Sequence, residues 1–107
     1  MAKYEVIDGK GIIPEWATEI EAEAFKGCKE LKSVVIPQWV RKIGNSAFYH
    51  CSALMIISIP SSVTEIGDWA FEFCSSLTHI SIPESVVEIG LDAIRNCRSL
   101  RSINIPR

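Results

Sequence analysis

Four cysteines, two histidines and thirteen carboxylates are the residues of this chain that could do chemistry. Cys28, Cys51, Cys74 and Cys97 raise the prospect of a metal or a disulfide. Zinc sites, however, need clustered ligands such as two cysteines three apart, and these four are spread at intervals of 23 residues. His50 and His79 fall at different places in the chain's period, so they belong to different faces and build no nucleophile–base pair. Glu19, Glu65 and Glu88 recur in one column, with Lys42 in the remaining place. Recurrence of that kind marks a solvated face, not an acid and a base set around a substrate. Gly44, Gly67 and Gly90 are solitary and form no phosphate loop. The residues point away from an enzyme, with no catalytic residue, metal or cofactor to assign.

The elements that would position these residues follow from the period itself. Pro14, Pro37, Pro60, Pro83 and Pro106 are each 23 residues apart. The same step carries Leu31, Leu54, Leu77 and Leu100, then Ala24, Ala47, Ala70 and Ala93, then Ile20, Ile43, Ile66 and Ile89, and the cysteines as well. A fixed period of this length is the signature of a stacked repeat, in which one unit cannot bury its own apolar face and neighbours must supply the core.

Within a unit, Leu77-Thr78-His79-Ile80-Ser81-Ile82-Pro83 ends in apolar/polar alternation. It reads as a short strand with Ile80 and Ile82 inward, stopped by a proline that cannot donate to a ladder. Val86 and Ile89 should turn back into the coil. Gly44, Gly67 and Gly90 read as turn positions that need unusual backbone angles. A short helical stretch is expected over Asp68-Trp69-Ala70-Phe71-Glu72-Phe73-Cys74, with Ala70, Phe71 and Cys74 on its inner face. Successive coils then rise by about one strand spacing, roughly 4.8 Å. The predicted fold is a repeat solenoid, a right-handed coil with a parallel β-sheet on one face and short helices or turns on the other. It forms one domain over 1–107, with an N-terminal cap over 1–13 and repeats over 14–36, 37–59, 60–82 and 83–105. In the cap, Tyr4-Glu5-Val6-Ile7 followed by Asp8-Gly9 reads as a strand and tight turn. The stacked cysteines have parallel side-chain vectors, which disfavours bridging, and are expected as buried, reduced thiols.

The run Ile59-Pro60-Ser61-Ser62-Val63-Thr64-Glu65-Ile66-Gly67-Asp68-Trp69-Ala70-Phe71-Glu72-Phe73-Cys74-Ser75-Ser76-Leu77 resembles the BspA-like leucine-rich repeats of bacterial and protozoan surface proteins. The resemblance spans about residues 12 to 106. It implies a curved solenoid that binds proteins, matrix or other cells, at the cell surface or secreted, and offers no catalytic residues to carry over.

Composition narrows the partners. A net charge of −2 with scattered Lys and Arg gives no footprint for nucleic acid. No apolar stretch approaches the roughly 18 residues of a membrane span. The first residues lack the apolar core of a signal peptide. No small-molecule substrate is implied.

Departures from the repeat are the informative positions, because the fold does not require them. Two residues past the proline, Ser62 and Ser85 are small, but Trp16 and Trp39 occupy the same place. Outward strand positions are polar at Ser58, His79, Ser81, Ser102 and Asn104, yet Val35, Met55 and Ile56 are apolar. These five should form one patch across the N-terminal half of the sheet. A second group lies on the opposite side: Trp69 and Phe73, four apart on one expected helix face, with Tyr49 and His50 one coil earlier and His50 beside Phe73. Exposed tryptophan and tyrosine are favoured interface anchors. The last unit has Ile94 in place of the phenylalanines, Leu91 at a polar position, and no polar unit after it. The expectation is a protein-binding scaffold that pairs with itself, engineered or shortened from a longer array. A fragment of a surface adhesin is the alternative.

Overall fold

The computed structural model describes residues 4–104. Ten short strands follow one another: β1 Val6–Ile7, β2 Lys10–Gly11, β3 Glu19–Ile20, β4 Ser33–Val34, β5 Lys42–Ile43, β6 Ile56–Ser58, β7 Glu65–Ile66, β8 His79–Ser81, β9 Glu88–Ile89 and β10 Ser102–Asn104. Apart from β1, each pairs with at least one counterpart one period away, although β4 and β6 do not pair with each other. Ile57 lies opposite Ile80, and Ile80 opposite Ile103, in a parallel register. The chain is a β-solenoid whose first parallel face holds β2, β4, β6, β8 and β10. β1 folds back antiparallel on β2 across Asp8-Gly9. Both turn residues have positive φ, at 50° and 80°, which is the backbone that a two-residue hairpin turn demands.

A second parallel ladder, β3-β5-β7-β9, runs along another side of the stack. Sequence reading missed it. Each of its strands is two residues long, too short for alternation to register; Ile20, Ile43 and Ile66 turn inward as expected, whereas Ile89, in the last coil, is exposed. Ile20 and Ile43 are fully buried, and Glu19, Lys42, Glu65 and Glu88 face outward beside them. Lys42 and Glu65 lie 3.9 Å apart in that outer row.

The interior is filled by the repeated columns. Phe25, Phe48, Phe71, Leu31, Leu54, Leu77, Val40 and Val63 are fully buried. The phenylalanines stack ring on ring, Phe25 on Phe48 at 5.4 Å and Phe48 on Phe71 at 5.1 Å. Tyr4 closes the column edge-on against Phe25 at 5.5 Å. The coil spacing therefore equals a favourable aromatic separation, so one column of rings serves three coils. In the last described coil the same columns are less covered. Ile94, Leu100 and Ile103 are only partly buried, and Ile89 is 46% exposed.

The expected helices are absent among the described residues; the segment is a chain of tight turns. Its amides alternate between two kinds of partner. Those of Ala24, Lys26 and Cys28 bond carbonyls three residues back, while those of Glu23, Phe25 and Gly27 bond Asn45, Ala47 and Tyr49 in the next coil at 2.7–2.9 Å. A helix would satisfy its amides internally. Here half of them tie coil to coil, and the chain turns by placing every fourth residue in the left-handed region. Glu23, Ser46, Trp69 and Asp92 form one such column, and Gly27, His50, Phe73 and Asn96 the other.

The repeated glycines also have a different cause from the one expected. Positive φ among glycines is confined to Gly9 and Gly27. At Gly44 an added Cβ would lie 2.6 Å from the amide nitrogen of Ala22, and at Gly67 it would lie 2.7 Å from that of Asn45. Close approach of one coil to the previous one, not turn conformation, excludes a side chain there.

Candidate interaction surface

On the first parallel face the outward columns change character abruptly. Toward the N-terminus they carry Ile12, Val35 and Ile56; toward the C-terminus, Ser58, Ser81 and Asn104, all exposed. Val35 is 83% exposed and Trp16 79%, with Trp39, Met55 and Ile56 each half exposed or more. Ile12 belongs to this patch and escaped the sequence reading because it precedes the first proline. Adding one period to it gives Val35, which was the available signal.

The structure brings these residues together by two routes. Val35 and Ile56 line opposite lips of one groove of about 610 Å³, with Val34, Ile36 and Ile59 in its walls. A smaller groove of about 330 Å³ continues between the preceding coils, past Ile12 and Val35. Trp16 and Trp39 occupy one column on successive coils, without ring contact between them. Met55 sits immediately before β6. In the tryptophan column the later coils show what a small residue does: Ser85 Oγ donates to the carbonyl of Val63 at 2.7 Å. Ser62 Oγ in the same column is buried without a hydrogen-bond partner.

The large groove lies over a break in the sheet. Along one column, Lys32 N donates to Gly9 O at 2.7 Å, Thr78 N to Met55 O at 2.8 Å and Arg101 N to Thr78 O at 2.9 Å. The corresponding bond from Met55 to Lys32 is missing, and β4 and β6 share no ladder. The second ladder crosses the same boundary intact through β3 and β5.

On the turn side the predicted group is only partly assembled. Tyr49 and Phe73 meet edge to face at 5.8 Å, and His50 lies 6.0 Å from Phe73, as expected. Lys26 Nζ sits 5.8 Å over the Tyr49 ring while pairing with Glu23 at 3.2 Å. Trp69 stands apart from the cluster, 38% exposed and without a ring partner. It and Phe73 share no helix face, because both are left-handed turn residues, with φ of 56° and 62°. Bulky side chains seldom occupy that region.

The thiols are unpaired and line the interior. Cys51, Cys74 and Cys97 each donate to a carbonyl of the preceding coil, those of Phe25, Phe48 and Phe71, at 3.1 Å. Burial pushes the Cys51 thiol up to about 12 and raises Cys74 and Cys97 as well, which keeps these sulfurs protonated at neutral pH. Among the described residues no group of His, Cys, Asp or Glu could hold a metal ion. The two histidines lie on different faces, His79 within β8 and His50 against the turn-side rings. No helix among the described residues is long and apolar enough to cross a membrane.

Stacked coils of one period, joined by parallel ladders around a shared aliphatic and aromatic interior, define a leucine-rich-repeat solenoid. Residues 10–107 match the family described as BspA type leucine-rich repeat region (6 copies), and the chain belongs to that family, which is generally non-catalytic. No curated protein matches it. The similar solved structures include the following three. A leucine-rich repeat protein from Bacteroides ovatus is 35% identical, with a TM-score of 0.78 over 80% of this chain and 22% of that one. The T. pallidum leucine-rich repeat protein is 30% identical, with a TM-score of 0.76 over 94% of this chain and 55% of that one. A leucine-rich cell surface protein from Faecalibacterium prausnitzii is 33% identical, with a TM-score of 0.65 over 91% of this chain and 32% of that one. The chain thus spans between about a fifth and just over half of these relatives' lengths.

Proposed function

We propose that this domain is a non-catalytic protein-binding scaffold that pairs with a second copy of itself through Trp16, Val35, Trp39, Met55 and Ile56, with Ile12 at the margin. The observation that carries the reading is the concentration of exposed apolar side chains on one half of an otherwise polar sheet face. Weighted by their exposure, these six side chains offer on the order of 700 Å², close to the roughly 800 Å² that a standard interface takes from each partner. One patch meeting itself about a two-fold axis closes into a dimer. The repeats act as one domain over 1–107 with residues 1–13 as its cap, and the regular columns fit an engineered or shortened array. Tyr49, Trp69 and Phe73 form a separate candidate surface; joining it to the sheet-side patch would give rings or fibres instead. Nucleic acid and small-molecule substrates have no place in this reading.

Sedimentation of the chain at tens of micromolar tests it. A dimer that Trp39→Ser dissociates, with the fold unchanged, is the expected result, because serine already occupies that column at Ser62 and Ser85. A strict monomer would defeat self-pairing.

The second reading is a segment of a surface adhesin with a foreign protein or matrix partner. The similarity to a leucine-rich cell surface protein favours it. A parent reading frame with flanking repeats and a secretion signal would support it, and a free-standing frame of this length would count against it.

A further inference from the structure

The groove over the broken ladder is mostly apolar and roomy enough to admit an aromatic side chain, and the patch beside it carries an exposed ring without a ring partner. We infer that Trp16 of one copy seats its indole in this groove of a second copy, reciprocally about a two-fold axis; the inference rests on the self-pairing reading above. The groove, of about 610 Å³, is walled chiefly by Val34, Val35, Ile36, Ile56 and Ile59. No aromatic residue of its own chain lines it. Trp16 is the most exposed aromatic among the described residues and makes no ring contact, whereas Trp39 is already half covered. A buried indole also needs an acceptor for its N–H. The polar members of the wall, Ser33, Gln38 and Ser58, each carry an oxygen able to accept it. Knob and hole lie on the same half of the molecule, so a single two-fold operation satisfies both at once. The missing ladder is then part of the site. The groove lies where β4 and β6 are not hydrogen-bonded, a place where a closed sheet would present a flat face.

The test uses the 107-residue chain in three forms followed by sedimentation velocity. Trp16→Ser removes the knob, with serine again native to that column. Ser58→Phe places a ring over the groove from an outward strand position. Each variant alone is expected to dimerise more weakly by upwards of about tenfold. An equimolar mixture is expected to recover dimer, because the blocked copy still offers Trp16 to the open groove of the other. Circular dichroism of each variant checks that the coil stack is intact; should Ser58→Phe unfold, Ser33→Phe blocks the opposite lip. Dimerisation undiminished by Trp16→Ser overturns the assignment, as does a mixture no stronger than its components. A wild-type monomer removes the self-pairing reading along with it. A wild-type dimer broken by Trp39→Ser but untouched by Trp16→Ser leaves self-pairing standing and removes this inference alone.

Discussion

Asn45 holds Asp68 from one coil to the next: the Asn45 Oδ1 accepts the backbone amide of Asp68 at 2.9 Å. Asp68 repeats the service, its own Oδ1 accepting the amide of Leu91 at 2.9 Å. The two side chains form a polar ladder beside the close-packed glycines, and the ladder stops at Leu91, whose side chain has no oxygen. Asp68→Ala should therefore cost about 1 kcal/mol, and Asn45→Ala a similar amount. Asp68→Asn, which keeps the acceptor, should leave the urea midpoint nearly unchanged. Equal losses for Asp68→Asn and Asp68→Ala would show that charge, not the acceptor, matters.

Two glycine substitutions should separate crowding from backbone conformation. Gly67→Ala drives a Cβ into the backbone of the preceding coil and should destabilise by about 3 kcal/mol. Gly27→Ala meets nothing within 4 Å but keeps a φ of 70°, and should cost only about 1 kcal/mol. Thermal denaturation of the pair gives the order, and a reversed order would contradict the packing argument.

The aromatic residues at left-handed positions set backbone strain against burial. Asp92 and Asn96 occupy the same two columns as Trp69 and Phe73 in the following coil. Trp69→Asn relieves about 1 kcal/mol of backbone strain but gives up the burial of an indole that is only 38% exposed, so stability should fall by about 2 kcal/mol. Phe73→Asn gains the same relief but gives up its contacts with Tyr49 and His50, so its net change should be near zero. Denaturant midpoints decide it, and a Trp69→Asn variant more stable than the parent would mean that strain outweighs the covered indole.

The thiols make the fold sensitive to alkali. Their ordinary pKa is 9.0, and burial lifts Cys51 to about 12, with Cys74 and Cys97 also raised. A raised folded-state value favours the folded form fully below the unfolded pKa. That contribution is lost as pH climbs, because the unfolded chain releases protons first. Stability should accordingly fall between about pH 9 and 12, and Cys51→Ala should flatten the decline. Native protein should resist thiol alkylation at Cys51 and Cys74, with Cys97 the first of the raised thiols to react, as mass mapping would show.

The columns were legible in the sequence because each is a demand one coil makes on the next. The prolines, the isoleucines and Phe25, Phe48 and Phe71 are interpretable only as stacked neighbours. Distinguishing turns from helix was not possible from side chains. Ala70, Phe71 and Cys74 point inward in either conformation, and what differs is the destination of the main-chain amides. For the same reason the broken ladder between Lys32 and Met55 leaves no trace in residue types. The exposed positions of Trp16, Val35 and Trp39 could be read because they violate a column. Ile12 was overlooked because it precedes the first proline that sets the frame, although one period added to it gives Val35.

The break between β4 and β6 also gives the molecule an uneven stiffness. Across that one boundary, load on the sheet side passes through side-chain contact alone, while the opposite wall stays stitched by β3 and β5. Flexed, the stack of coils should yield there first, opening on the sheet side while the opposite wall acts as the hinge.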